Sequence, residues 1–143
     1  MVDRALVHRK LADLETYLDQ MREFSGLSLD QYQGDWKMQR IVECTLQIMI
    51  ETCVDIAGHL IADSNWRSPT SYSESFVILK ENVVIDSPLS VSLERMAKFR
   101  NVVVHRYDQI DSEIVLVILR DHMIDFERYR DAVLSYLAAP RTL

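Results

Sequence analysis

Apolar residues recur along most of this chain in alternating steps of four and three, the spacing that lines up one face of a helix. Val7, Leu11, Leu14, Leu18 and Met21 form the first such line and predict a helix over residues 3–24. Ser25 and Gly26 follow, and Gly26 is expected to end the helix in the left-handed conformation. Residues 27–34 read as a connection with room for a short turn of helix. Val42, Leu46, Met49, Cys53, Ile56 and Leu60 form the second line, which predicts the longest helix, over residues 36–62. Polar residues and Pro69 break it. Ser71 and Glu74 have capping-box spacing, Ser71 reaching forward and Glu74 reaching back, and open a third helix that runs to about Val84. Ser87 as cap, with Pro88 at the first helical position, opens a fourth that stops near Tyr107. A fifth begins at Asp111 or Ser112 with the line Val115, Leu119, His122, Phe126, Tyr129, Val133 and Tyr136, and Pro140 lies beyond its end. The expected fold class is therefore all-α: an up-and-down bundle of four to five helices, as one domain over residues 1–143.

Composition supports few, long elements. Apolar residues make up 48% of the 143, with three glycines and three prolines to build turns. No apolar run is long enough to span a bilayer, and residues 1–6 have no apolar core of a secretory signal, so a cytoplasmic protein is expected. Cys44 and Cys53 lie about 180° apart around one helix and match no metal spacing, so both are expected to be small core residues.

Net charge is −6, which disfavours a broad face for gripping nucleic acid. The distribution changes that picture. Within residues 94–107, Arg95, Lys98, Arg100 and Arg106 stand against Glu94 alone, a net +3, which leaves −9 for the rest of the chain. One basic spot on an acidic body suits a small site for a few phosphates, or docking to a partner of opposite charge.

That spot contains the strongest break in the apolar pattern. The fourth helix carries its seam through Leu89, Leu93 and Met96, and then places Arg100 where a core side chain belongs before resuming at Val103 and Tyr107. A guanidinium on a core seam is costly unless it is paired with a carboxylate or performs a task. Asn101 and His105 share a second face of the same helix. Arg100 and His105 lie about 140° apart around the axis. Either the helix loosens near His105, or a second copy completes the site across a two-fold axis. The residue types suit RNA cleavage without a metal. Imidazole can take the proton of a ribose 2′-hydroxyl and return one to the leaving oxygen, and a fixed guanidinium can hold the phosphate as charge develops. Asn101 could orient His105 one turn away or hold a phosphate oxygen, while Lys98 and Arg106 add phosphate-binding cations.

Other groups carry less. His122 on the fifth seam reads as a satisfied core or interface histidine. Glu51, Asp55, His59 and Asp63 recur every four residues, which suits a polar stripe better than a metal site, and no Glu-x-x-His pair is present. No metal or other cofactor is expected.

Residues 100–107, Arg-Asn-Val-Val-Val-His-Arg-Tyr, resemble the Arg-x4-His-x-Tyr signature of the HepT-like branch of the HEPN superfamily, small all-helical ribonuclease toxins of bacterial and archaeal toxin–antitoxin systems. Phe99 and Asn101 flank the Arg, Tyr107 closes the motif and Asp111 follows. Residues 50–59 and 72–79 are similar in order, so the resemblance covers essentially the whole chain. It implies a metal-independent endoribonuclease with Arg100, His105 and Asn101 as catalytic residues at a composite homodimer or higher homo-oligomer site. It further implies a minimal nucleotidyltransferase antitoxin as partner, and Tyr107 as the acceptor of AMP from it. The alternative is a non-catalytic helical adaptor that binds a nucleotide or a nucleotidyltransferase.

Overall fold

The computed structural model describes residues 3–139. Helix α1 spans Arg4–Met21 and runs on into a 3-10 turn, Arg22–Phe24. Helix α2 (Leu29–Gln33) is short, and α3 (Trp36–Asp63) is the longest. Helices α4 (Tyr72–Glu81) and α5 (Ser87–His105) follow, then a 3-10 turn at Tyr107–Gln109. Helix α6 (Ser112–Val117) passes through a π-helical segment, Ile118–His122, into α7 (Met123–Ala138). Helix α1 packs on α3, α3 on α5, α5 on α7, and α7 back on α1, closing a four-helix ring with α4 laid against α3 and α5. The described residues contain no strand.

The apolar lines become the core. Every seam residue of α1 and α3 is buried, from Val7 to Met21 and from Val42 to Leu60. Burying one such side chain contributes about 1.5–3 kcal/mol, against about 0–1 kcal/mol for an exposed ion pair, so the ring is held by its interior. Tyr129 crosses that interior to donate its hydroxyl to the Cys53 carbonyl at 2.8 Å. Burial pushes both the Tyr129 phenol and the Cys53 thiol far above their ordinary pKa.

Several local expectations are corrected. Gly26 does not take a positive φ; the left-handed positions are Asn65 (φ 55°) and Val83 (φ 61°). Each follows a helix end at which a backbone N–H reaches five residues back: Trp66 to Ile61 at 3.1 Å, and Val84 to Leu79 at 2.9 Å. Helix α4 therefore stops at Glu81, short of Val84. Ser71 accepts from the Glu74 N–H, but the Glu74 carboxylate takes the Thr70 N–H at 3.1 Å and the Arg67 guanidinium at 2.9 Å, so the box is half formed. Those donors hold Glu74 below the usual carboxylate range, the Thr70 backbone first. Asp86, not Ser87, caps α5, accepting from the Leu89 N–H. Cys44 is exposed and only Cys53 is core. Tyr136 is only partly buried, and Leu137 takes the core position instead. Pro140 lies outside the described residues. Among those residues no helix is long and apolar enough to cross a membrane.

Candidate functional site

The site is built on the C-terminal half of α5, which Met96, Ala97, Phe99 and Val103 anchor in the core. Arg100 leaves that seam toward α3 and α4. Its Nε and Nη2 donate to Oε1 of Glu51 at 3.4 and 3.3 Å, and its Nη1 donates to Oδ1 of Asn101 at 3.2 Å. The Tyr72 ring covers the face of the guanidinium, 4.8 Å from ring centroid to Cζ. Glu51 is itself fixed by the Gln47 amide at 2.9 Å. The Arg100 side chain is 15% exposed. A carboxylate on one edge and an aromatic ring on the face orient a fork that suits a phosphate.

Helix α5 ends abruptly at His105, where the expected run to Tyr107 is corrected. Arg106 leaves helical geometry (φ −141°, ψ 50°) while its N–H still closes on the Val102 carbonyl at 2.8 Å. His105 is exposed, and its imidazole makes no hydrogen bond with a described residue. Lys98, Asn101 and His105 share one exposed face of α5, and Arg106 is exposed beside them. Arg100 thus faces α3 and α4 while His105 projects from a different side, as the helical angle requires.

Tyr107 no longer continues the Arg100 stripe, since it begins the 3-10 turn after the break. It is 73% exposed. With Val103 it faces Arg40, Glu43, Cys44 and Gln47 of α3 across a shallow cleft of about 350 Å³. Gln47 borders this cleft and also holds Glu51, so Tyr107 and Arg100 meet the same stretch of α3. Burial raises the Glu43 carboxyl above its ordinary pKa, against the lowering pull of Arg40 and of the Tyr32 hydroxyl.

Glu51 and Tyr72 are the partners that the sequence pattern did not assign to Arg100. The burial argument demanded a carboxylate without saying which one. The Glu51–Asp63 line disperses: Glu51 goes to Arg100, and Asp55 goes to Lys10 at 3.5 Å. No cluster of three or more His, Cys, Asp or Glu suited to a metal occurs among the described residues. His122 is satisfied, by Asp125 at 2.9 Å, but it is not a core residue. It ends the π-helical segment with its side chain 39% exposed.

The family model for HepT-like ribonucleases matches residues 14–133. The chain is 30% identical over 128 residues to the mRNA nuclease HepT of Shewanella oneidensis, covering 90% of this chain and 96% of that protein. It is 28% identical over 138 residues to the tRNA nuclease HepT of Aphanizomenon flos-aquae, covering 95% and 92%. The structure superposes with a TM-score of 0.84 and 30% identity on a tri-AMPylated Shewanella oneidensis HEPN toxin solved in complex with an MNT antitoxin, covering 94% and 99%. With the Arg100–His105 element built into a ring of the same shape, this chain belongs to the HepT-like ribonuclease family.

Proposed function

We propose that this chain is the toxin of a bacterial or archaeal toxin–antitoxin pair, a metal-independent endoribonuclease working in the cytoplasm as one domain per subunit. The observation that carries this reading is Arg100. It sits on an otherwise apolar seam, is aimed by Glu51 and Tyr72, and lies five residues from a His105 without a hydrogen-bond partner among the described residues. A purely structural arginine accounts for the Glu51 pair but not for the exposed His105, Lys98 and Arg106 gathered at the same helix end.

In the proposed reaction the 2′-oxygen attacks the adjacent phosphorus and the bond to the 5′-oxygen breaks, leaving a 2′,3′-cyclic phosphate and a 5′-hydroxyl. His105 takes the 2′-hydroxyl proton and, as the imidazolium so formed, returns a proton to the 5′-oxygen. Arg100 holds the non-bridging oxygens, with Asn101 orienting it and Lys98 and Arg106 binding flanking phosphates. The divergent faces of Arg100 and His105 favour assembly of the site between two copies in a homodimer.

Tyr107 is the proposed acceptor of AMP from a nucleotidyltransferase antitoxin. Its exposure leaves the hydroxyl accessible. A phosphodiester there puts negative charge beside the cations that must hold RNA. The test is induction of the chain in a bacterial host with and without the nucleotidyltransferase. Growth arrest with fragmented RNA, relieved by the active partner, is expected. Arrest with intact RNA would overturn the reading.

A further inference from the structure

A second cleft, of about 390 Å³, opens between α5 and the α6–π segment, on a different face of α5 from Arg100. Met96, Phe99, Ile114 and Val117 give it apolar walls. Its polar groups are Ser92, Arg95, Asp111, Glu113 and His122, and Asp125 lies behind Ser92 and His122. Asp125, only 6% exposed, accepts from Nδ1 of His122 at 2.9 Å and from the Ser92 hydroxyl at 2.5 Å. A buried carboxylate is costly, and here it fixes an imidazole. With Nδ1–H given to Asp125, Nε2 is left as an acceptor for a donor on a ligand. Ser92 sits on the Nδ1 side, 3.5 Å from that atom, so this is not a nucleophilic triad. The π-helical segment that ends at His122 is an irregularity of a kind frequent at functional sites. Arg95 lines the same cleft, is exposed, and forms no ion pair with a described residue.

We infer that this cleft binds one ribonucleotide unit, with the base between the apolar walls, the phosphate on Arg95, and the ribose hydroxyls donating toward Nε2 of His122, Asp111 and Glu113. The cleft has the volume and the mostly apolar lining of a small-molecule site. Two carboxylates in the lining oppose a polyphosphate but accept hydroxyl donors, which selects a single nucleotide. The unit comes either from a free mononucleotide or from an RNA strand whose scissile phosphate lies at Arg100. Arg95 and His105 are ten residues apart on α5, about 15 Å along the axis, so one strand can span both sites. The RNA source rests on the ribonuclease reading, and the mononucleotide source does not.

The test is NMR of the full chain labelled at His and Phe, titrated with adenosine 5′-monophosphate and separately with a 2′-O-methyl RNA oligonucleotide that cannot be cleaved. Shifts of the His122 and Phe99 signals with the mononucleotide assign a free ligand, and shifts with the oligonucleotide alone assign a substrate subsite. In either case Arg95→Ala, an exposed position, should weaken binding by roughly ten- to a hundredfold, the loss of a charge-assisted phosphate contact. His122 unmoved by both ligands, or affinities unchanged in Arg95→Ala, would overturn the inference. Because no cleavage is read, a chain that binds at His122 but never cuts RNA would count against the ribonuclease reading and leave this one standing.

Discussion

Replacing Arg100 by Ala removes two things at once, and the structure separates them. The first is structural. Glu51, 31% exposed, loses the cation that balances its charge, and the Tyr72 face loses its cover. Charge-assisted hydrogen bonds contribute about 1.5–3 kcal/mol and a cation–π contact about 0.5–1 kcal/mol. Partial exposure of Glu51 reduces the first figure. We therefore expect Arg100→Ala to cost about 2 kcal/mol, or roughly 6 °C in Tm for a chain of this length. Much of that cost is an unpaired carboxylate, so adding Glu51→Gln should return about 1 kcal/mol. The second loss is chemical. Without the phosphate-holding cation, single-turnover cleavage of RNA should fall by roughly 10²–10³ in both the single and the double variant. Urea unfolding and single-turnover kinetics on the four proteins of the cycle give both quantities. Recovery of cleavage in the double variant would reduce Arg100 to a structural role. An Arg100→Ala protein as stable as wild type would mean that the Glu51 pair contributes nothing.

Tyr107→Phe should keep substantial cleavage but gain no AMP mass when co-expressed with the nucleotidyltransferase; AMP persisting on that variant, read by intact mass spectrometry, would refute the acceptor assignment. Mixing inactive Arg100→Ala with inactive His105→Ala protein should restore part of the cleavage if two copies build each site, and no recovery after subunit exchange would place both groups in one chain. Val83→Gly should stabilise the fold by about 1 kcal/mol, since a β-branched residue is costly in the left-handed region and Val83, 87% exposed, packs on little; an unchanged urea midpoint would remove that strain from the account.

The elements that were legible in the sequence are those whose apolar spacing is regular. The α1 and α3 seams could be read residue by residue because burial on one helical face imposes that period. Short-range backbone chemistry was less legible. Glycine marks left-handed positions because it lacks a Cβ, yet here Asn65 and Val83 occupy them and Gly26 does not. The fifth seam misled for a different reason. The π-helical segment interrupts it and leaves His122 partly exposed, while Phe126, Tyr129 and Val133 keep the expected face and the last step runs four residues, to Leu137, instead of three, to Tyr136. At the candidate site, Arg100 and His105 stood out because a cation and an imidazole break an apolar pattern. Glu51 and Tyr72 did not, because they reach Arg100 from 49 and 28 residues away and local spacing carries no record of such pairings.

The most direct measurement is cleavage of total RNA by the purified protein in excess EDTA, wild type against His105→Ala. His105 is exposed at the end of α5, so its removal should leave stability within about 0.5 kcal/mol of wild type. The account predicts RNA fragments ending in 2′,3′-cyclic phosphate from wild type, and a rate lower by roughly 10²–10⁴ for the variant. Equal cleavage by the two proteins, or wild-type cleavage that disappears in EDTA and returns with a divalent ion, would contradict it.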